Sequence, residues 1–461
     1  MAMSTGEQPD GLDLHAALTA LEQARRETDA GDPEACVRAL RRVPDGLPLG
    51  DRQSFLEIVA MVAGAARQMG FDDLTRAADA LRVGPDDPHL LYDYGYACTE
   101  RGAPWLAVPA LALAVAHAPE QHAIRMELVA ALEAEARYAE AVTALAHEST
   151  LDRWIGRYLL VFNCLMSGDV EGSRQWYSRL GKPEEPQQQA LADRLTAMLT
   201  RLQTVTGTSR LDDAPPSADP RAPLSAVDLR GWHFVLNGAV LTTLSPFGFA
   251  DGMNGRYAFL NESPDGCHRG LHRLGVALDA AGRRPSSIAL LPDRSSRILG
   301  LAAATALDLP ARDWSADAEG ALAVAYTLSG AAPELLAALR DAPGQLVFEH
   351  VTCWTEPPTV APDLSTQLAQ LATTPWEAHR RPAPGGGSWV DVPADDRPEA
   401  ELAAELLATD PTPPAGDGQT PDDSDEALAA FVRQVAARFG TGTTPRDKVW
   451  SPGPVPSSRF W

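Results

Sequence analysis

The chain is poor in what most recognisable chemistries require. Its 461 residues hold five cysteines, Cys36, Cys98, Cys164, Cys267 and Cys353. No two form a CxxC pair, which argues against a disulfide framework or a structural zinc site and fits a reducing compartment. Basic residues are few: 39 Lys and Arg stand against 62 Asp and Glu, a formal net charge of −23. So acidic a surface repels phosphate backbones, so nucleic acid is not an expected partner. No stretch approaches the ~18 apolar residues of a membrane helix; the best, Trp105 to Ala116, carries Pro109 inside it. The start, MAMSTGEQPD, has no basic end followed by an apolar core. We therefore expect no secretory leader, no membrane association and a cytoplasmic protein. GxGxxG, GxxxxGK(S/T) and GxSxG are all missing, so no phosphate loop or nucleophile elbow is offered. No cofactor is evident, and whether the chain is an enzyme stays open.

What is present is strongly patterned. At ~150 residues per domain the length predicts two or three domains. Residues 11–203 are rich in Ala and Leu at helical spacing; Leu14, Leu18 and Leu21 are one example. Residues 204–226 carry Pro215, Pro216, Pro220 and Pro223 among Asp and Ser and read as a linker. Over 227–408 short β-rich runs alternate with helical ones. Residues 409–461 read as a mostly disordered acidic and Pro-rich tail with one helix, Glu426 to Phe439.

The helical half repeats internally. From Pro88, Leu91, Tyr94, Gly95 and Cys98 place large, large, small and large residues on one helix. Gly102 marks a turn, and Ala107, Leu111, Ala114 and Pro119 follow on a second helix. Small residues let two helices approach while large ones fill the seam. One period later Leu128, Leu132, Ala141 and Leu145 recur in phase, with Val129 where glycine is expected; Gly70 and Gly168 mark further turns. This pattern resembles the tetratricopeptide (TPR) family, specifically over 88–147 and loosely over the rest of 11–203. The resemblance implies an α-solenoid whose groove, lined by first-helix residues, binds a segment or terminus of another protein. The groove positions would be His89, Tyr92, Tyr96, Thr99 and Glu100, then Met126, Ala130 and Glu133. It lacks the Lys/Arg pairs that grip acidic tails, so a neutral or basic segment is expected.

The second half reads as α/β with a mostly parallel sheet. WHFVL, Asn237-Gly238 and AVLTTLS predict an antiparallel hairpin on a type I′ turn. Helices are expected near 264–281, 298–309, 333–341, 364–371 and 399–407, with strands at SIALLP, ALAVAYTL, QLVFEHVTCW and 389–392. Nearly continuous apolar strands between helices suggest a buried sheet covered on both faces.

Ligands of such sheets bind beyond the strand carboxyl ends. The best loop there is Asp293, Arg294, Ser295, Ser296 and Arg297, where a helix N-terminus and two arginines could hold a phosphate or carboxylate. The strand order around it loosely resembles a phosphoribosyltransferase fold, without the acidic and Thr/Gly loop that grips ribose phosphate. His268 and His272 share a helix face at zinc spacing, but Arg269 and Arg273 flank them, so a solvated face is expected and no metal site is read. Glu349, His350, Cys353 and Glu356 cluster at a strand end, where alternation gives no assurance of a Cys–His pair. The aromatic run from Trp232 to Phe259 reads as a buried face or a pocket roof. The expectation is a protein-interaction scaffold. The alternative is an enzyme or sensor whose α/β domain binds a nucleotide or sugar phosphate at Asp293 to Arg297.

Overall fold

The computed structural model describes residues 14–43, 50–205, 224–342, 344–383, 389–440, 446–451 and 453–458. The core of the expected linker, 206–223, lies outside them. The chain divides into two compact units, Met1–Gln188 and Gln189–Trp461. No described helix is long and apolar enough to cross a membrane.

The first unit is built from helical pairs: α1 (Leu14–Ala30) with α2 (Pro33–Leu40), α3 (Arg52–Gln68) with α4 (Asp72–Val83), and α5 (Pro88–Glu100) with α6 (Pro104–His117). Two more follow, α7 (His122–Ala134) with α8 (Tyr138–Leu145), and α9 (Trp154–Met166) with α10 (Val170–Tyr177). One chemical device closes the first helix of every pair. Gly31, Gly70, Gly102, Ala136 and Gly168 adopt positive φ. The next residue then donates its N–H five residues back, as Ala103 does to the Cys98 carbonyl at 2.9 Å and Arg137 to Leu132 at 2.8 Å. This is the 6→1 bond of a Schellman turn, which satisfies helix-end carbonyls and reverses the chain. From Gly70 onward these turns recur at roughly the 34-residue TPR period. Leu91, Tyr94, Cys98, Ala107, Leu111 and Ala114 are buried in the shared core, as their spacing predicts.

The second unit opens with α11 (Gln189–Thr204), whose Arg201 donates to the Val235 and Leu236 carbonyls at 2.8 and 2.9 Å. Those carbonyls end α12 (Leu229–Asn237), which occupies the place of the expected hairpin. Asp228 caps α12 by accepting from the Gly231 N–H, and Gly238, at φ 72°, terminates it. Asn-Gly supplies positive φ equally well to a hairpin turn and to a helix C-terminus. Burial of Trp232, Phe234, Val235 and Leu236 decided for the helix.

The sheet contains β1 (Val240–Leu241), β2 (Tyr257–Asn261), β3 (Ser287–Leu290), β4 (Ala311–Asp313), β5 (Ala321–Ala325), β6 (Leu346–Cys353) and β7 (Leu364–Thr373). Its order is β1-β7-β6-β5-β3-β4, and all pairs are parallel. β2 also pairs with β7, further along the edge that β1 begins. The span 364–371, expected as a helix, is therefore a strand. Its residues pair with neighbours on both sides, and tertiary pairing outweighs the helix propensity of Leu, Gln and Ala.

Helices cover both faces. On one lie α13 (Pro264–Ala281) and α14 (Arg294–Ala306), with Gly300 set against Leu290 and Val324. On the other, Ala289, Ala323, Ala325 and Val347 pack with Leu339 of α15 (Pro333–Asp341). β8 (His379–Pro382) and β9 (Trp389–Val392) make an antiparallel hairpin of their own, so the expected fold class is met at a different place. α16 (Glu399–Leu407) follows.

The stretch from 409 onward was expected to be mostly disordered. Of its described residues, most of 411–427 are exposed, whereas Phe431 and Val432 of α17 (Asp425–Val435), then Phe439, Val449 and Val455, are buried. Arg446 donates to the Leu339 and Gln345 carbonyls, and Asp423 receives the buried Arg230 at 2.7 Å.

Candidate functional site

On α5, Tyr92 and Tyr96 stand four residues apart, so both project from one face. Their rings stack with centroids 6.1 Å apart and planes at 20°. Tyr96 is 46% exposed and Tyr92 half-buried. Thr99 and Glu100 continue the strip. From α7, Glu127 reaches the same place and accepts a hydrogen bond from Thr99. Burial first, then the Glu100 charge, pushes the Glu127 carboxyl above its usual range, against the pull of the Thr99 bond. Burial also raises the Tyr92 phenol, with Glu127 adding to it. Among the described residues, neither Glu100 nor Glu127 has an Arg or Lys partner.

The other expected groove residues are less closely gathered. His89 is exposed at the start of α5, and Met126 is half-buried against the core. Glu133 accepts from Asn163 of α9 at 2.6 Å, which ties two first helices together. Glu127 was not anticipated: matching positions by the repeat period pairs it with the exposed Asp93 rather than with Tyr92.

The Asp293–Arg297 segment follows β3, but it is not a loop: Asp293 is the N-cap and Arg294–Arg297 the first turn of α14, four residues ahead of the helix start expected at Ile298, and each of its groups is engaged internally. Asp293 caps α14 through the Ser296 N–H at 2.8 Å. Arg294 donates to the carbonyls of Asp395 and Arg397. Ser295 lies between the Trp376 indole N–H and Glu377, both at 2.8 Å. Ser296 Oγ accepts from the Tyr326 N–H, and Arg297 pairs with Asp313 and Glu399.

His350 and Cys353 do not form a pair. Cys353 Sγ donates to the Gln370 carbonyl and receives the Glu356 N–H, whereas His350 bonds Glu262 at 2.9 Å. His268 bonds the Thr409 carbonyl and His272 bonds Asp425, so these two histidines are divided between separate partners.

No protein-family model matches this sequence, and no curated protein matches it either. Among solved structures, one of MamA AMB-1 and one of an aspartate-to-lysine mutant of MamA are similar to it. Each is 18% identical, covers 36% of this chain and 97% of its own, and has a TM-score of 0.22. A likeness that weak carries no argument.

Proposed function

We propose that this protein is an interaction scaffold whose helical unit binds a neutral or basic segment of a partner protein across Tyr92, Tyr96, Glu100 and Glu127. The observation that carries this reading is the partly exposed tyrosine pair beside two carboxylates without a cation. Stacked rings offer a rigid flat surface at small entropic cost, and unpaired carboxylates favour a lysine, an arginine or an amino terminus. The TPR-like spacing of the turns supports the same reading, since stacked hairpins of this kind expose first-helix faces. Five free cysteines support a reducing, cytoplasmic setting. A phosphate site at Asp293 to Arg297 is less favoured, because Arg294 and Arg297 would first have to leave the partners they hold.

The test is affinity capture from the native host with the wild type, Tyr92→Ala, Tyr96→Ala and Glu127→Gln, followed by calorimetry on the captured partner. Removing an aromatic anchor costs ~2 kcal/mol of binding, roughly thirtyfold. Folding stability should change by about 1 kcal/mol or less. Partners retained at full affinity by all three variants would overturn the assignment and move attention to the second unit.

A further inference from the structure

We propose that Glu262, Cys267 and His350 form a buried site for a zinc-class divalent cation between α13 and the sheet. Three elements deliver them. Glu262 follows β2 directly, Cys267 lies at the start of α13, and His350 stands on the face of β6 that α13 covers. One ligand atom from each lies within 4.8 Å of the other two. Glu262 is 6% exposed, and Cys267 and His350 are both 0% exposed.

The donor set is one carboxylate oxygen, one thiol sulfur and one imidazole nitrogen. That mixture suits a borderline-soft cation such as Zn²⁺ and suits Mg²⁺ or Ca²⁺ poorly. A carboxylate and a thiolate together cancel the charge of a dication, so the occupied site is neutral in a dry environment. Binding forms an S–metal bond and releases the Cys267 proton, which leaves no charge uncompensated.

Polar groups packed around the cluster are incompletely met. His350 Nδ1 is buried with no hydrogen-bond partner, and so is Thr366 Oγ1 on the adjacent strand. A buried polar atom left unmet costs about 1–3 kcal/mol. The ring is already oriented. Its Nε2 bonds Glu262 Oε2 at 2.9 Å, and Gln367 donates to the same oxygen, while Glu262 Oε1 accepts the Ser263 N–H at 2.9 Å. A cation between Glu262 Oε2, His350 Nε2 and Cys267 Sγ takes the place of the His350–Glu262 hydrogen bond, and the ring proton then rests on Nδ1. Nδ1 faces α13: a Cβ on Gly270 would come 2.6 Å from it. Cys267, three residues earlier on that helix, shares this face. The site is closed to solvent, so its role is to fasten α13 to β6 and β2.

The full-length protein is expressed in zinc-supplemented medium, purified without chelator, and unfolded in the presence of a chromophoric zinc indicator. The expected release is about one zinc per chain. Cys267→Ser should lower it more than tenfold, whereas Cys353→Ser, which alters a cysteine outside the cluster, should keep it. Refolding the wild type with Co²⁺ should produce a thiolate-to-cobalt absorption band, a readout that does not depend on any variant folding. Wild-type protein with neither zinc nor the cobalt band would overturn the proposal, as would full metal retention in Cys267→Ser.

Discussion

Gly95 and Leu111 meet so closely across the α5–α6 seam that a Cβ on residue 95 would lie 2.5 Å from Leu111 Cγ. Leu111 is fully buried and has no route to solvent. Gly95→Ala should therefore destabilise the helical unit. Overpacking costs ~1–3 kcal/mol, and the better helix propensity of alanine returns up to about 1 kcal/mol of that. A net loss of about 1–2 kcal/mol is expected in urea titration, with Gly95→Leu worse. An unchanged midpoint would mean that the seam has slack.

Ala136 holds φ 57° at the turn position where the neighbouring hairpins place glycine. The left-handed conformation costs an L-residue ~1–2 kcal/mol, while glycine adds ~0.4–1 kcal/mol of unfolded-state entropy. Ala136→Gly should stabilise the protein by roughly 0.5–1 kcal/mol. Thermal unfolding of the two proteins side by side checks this, and a lowered midpoint would contradict it.

Glu349 supplies a pH dependence. Burial pushes its carboxyl up to about 7, although hydrogen bonds from Thr352, the Leu328 N–H and Thr327 hold it down. Because the folded value lies above the unfolded 4.5, the unfolded state releases this proton first as pH rises. The contribution is fully present below about 4.5 and is lost between there and about 7. At 1.36 kcal/mol per pH unit the loss approaches about 3 kcal/mol. Glu349→Gln should match the wild type at pH 4.5 and exceed it at pH 8 by roughly 1–3 kcal/mol. Equal urea midpoints at pH 8 would show that Glu349 ionises in the fold without penalty.

Asp423 accepts from Arg230 at 2.7 Å and forms an ion pair with Arg273 at 2.9 Å, and both arginine side chains are 5% exposed or less. Removing the carboxylate strands the buried Arg230 cation and leaves Arg273 with Asp425 as its ion-pair partner. Asp423→Ala should cost ~3–5 kcal/mol and loosen the packing of α17. Hydrogen exchange of α17 amides provides the local readout; unaltered protection there would remove Asp423 from its place as an anchor.

The helical pairs were legible because their signals are local. Gly95, Gly102 and Ala107 announce a close helix seam within a dozen residues, and the packing follows them. The second unit was legible only in part. Asn237-Gly238 is ambiguous by nature, because positive φ ends a helix as readily as it turns a hairpin. Residues 364–371 look helical in isolation and become a strand through pairing with β6 on one side and β1 and β2 on the other. The thiol and imidazole of Cys267 and His350 could not be connected in advance, since strand pairing alone brings residue 350 under α13. Glu127 escaped notice because it reaches Thr99 sideways, off the repeat register.

The bond between Arg230 and Asp423 spans 193 residues of sequence, and it sets an order of events on the ribosome. At ~5–20 residues per second, on the order of ten to forty seconds separate the two residues during synthesis. Helical hairpins that contact mainly their neighbours can close as they emerge. Arg230 and Arg273, by contrast, leave the exit tunnel long before their carboxylate exists, and the rim they support stays unfinished meanwhile. A nascent chain of this protein therefore passes through a stage with a completed helical array and an exposed, half-built sheet whose Arg230 lacks its carboxylate. That interval is when a chaperone would engage it, and slow codons placed between 273 and 423 would lengthen it.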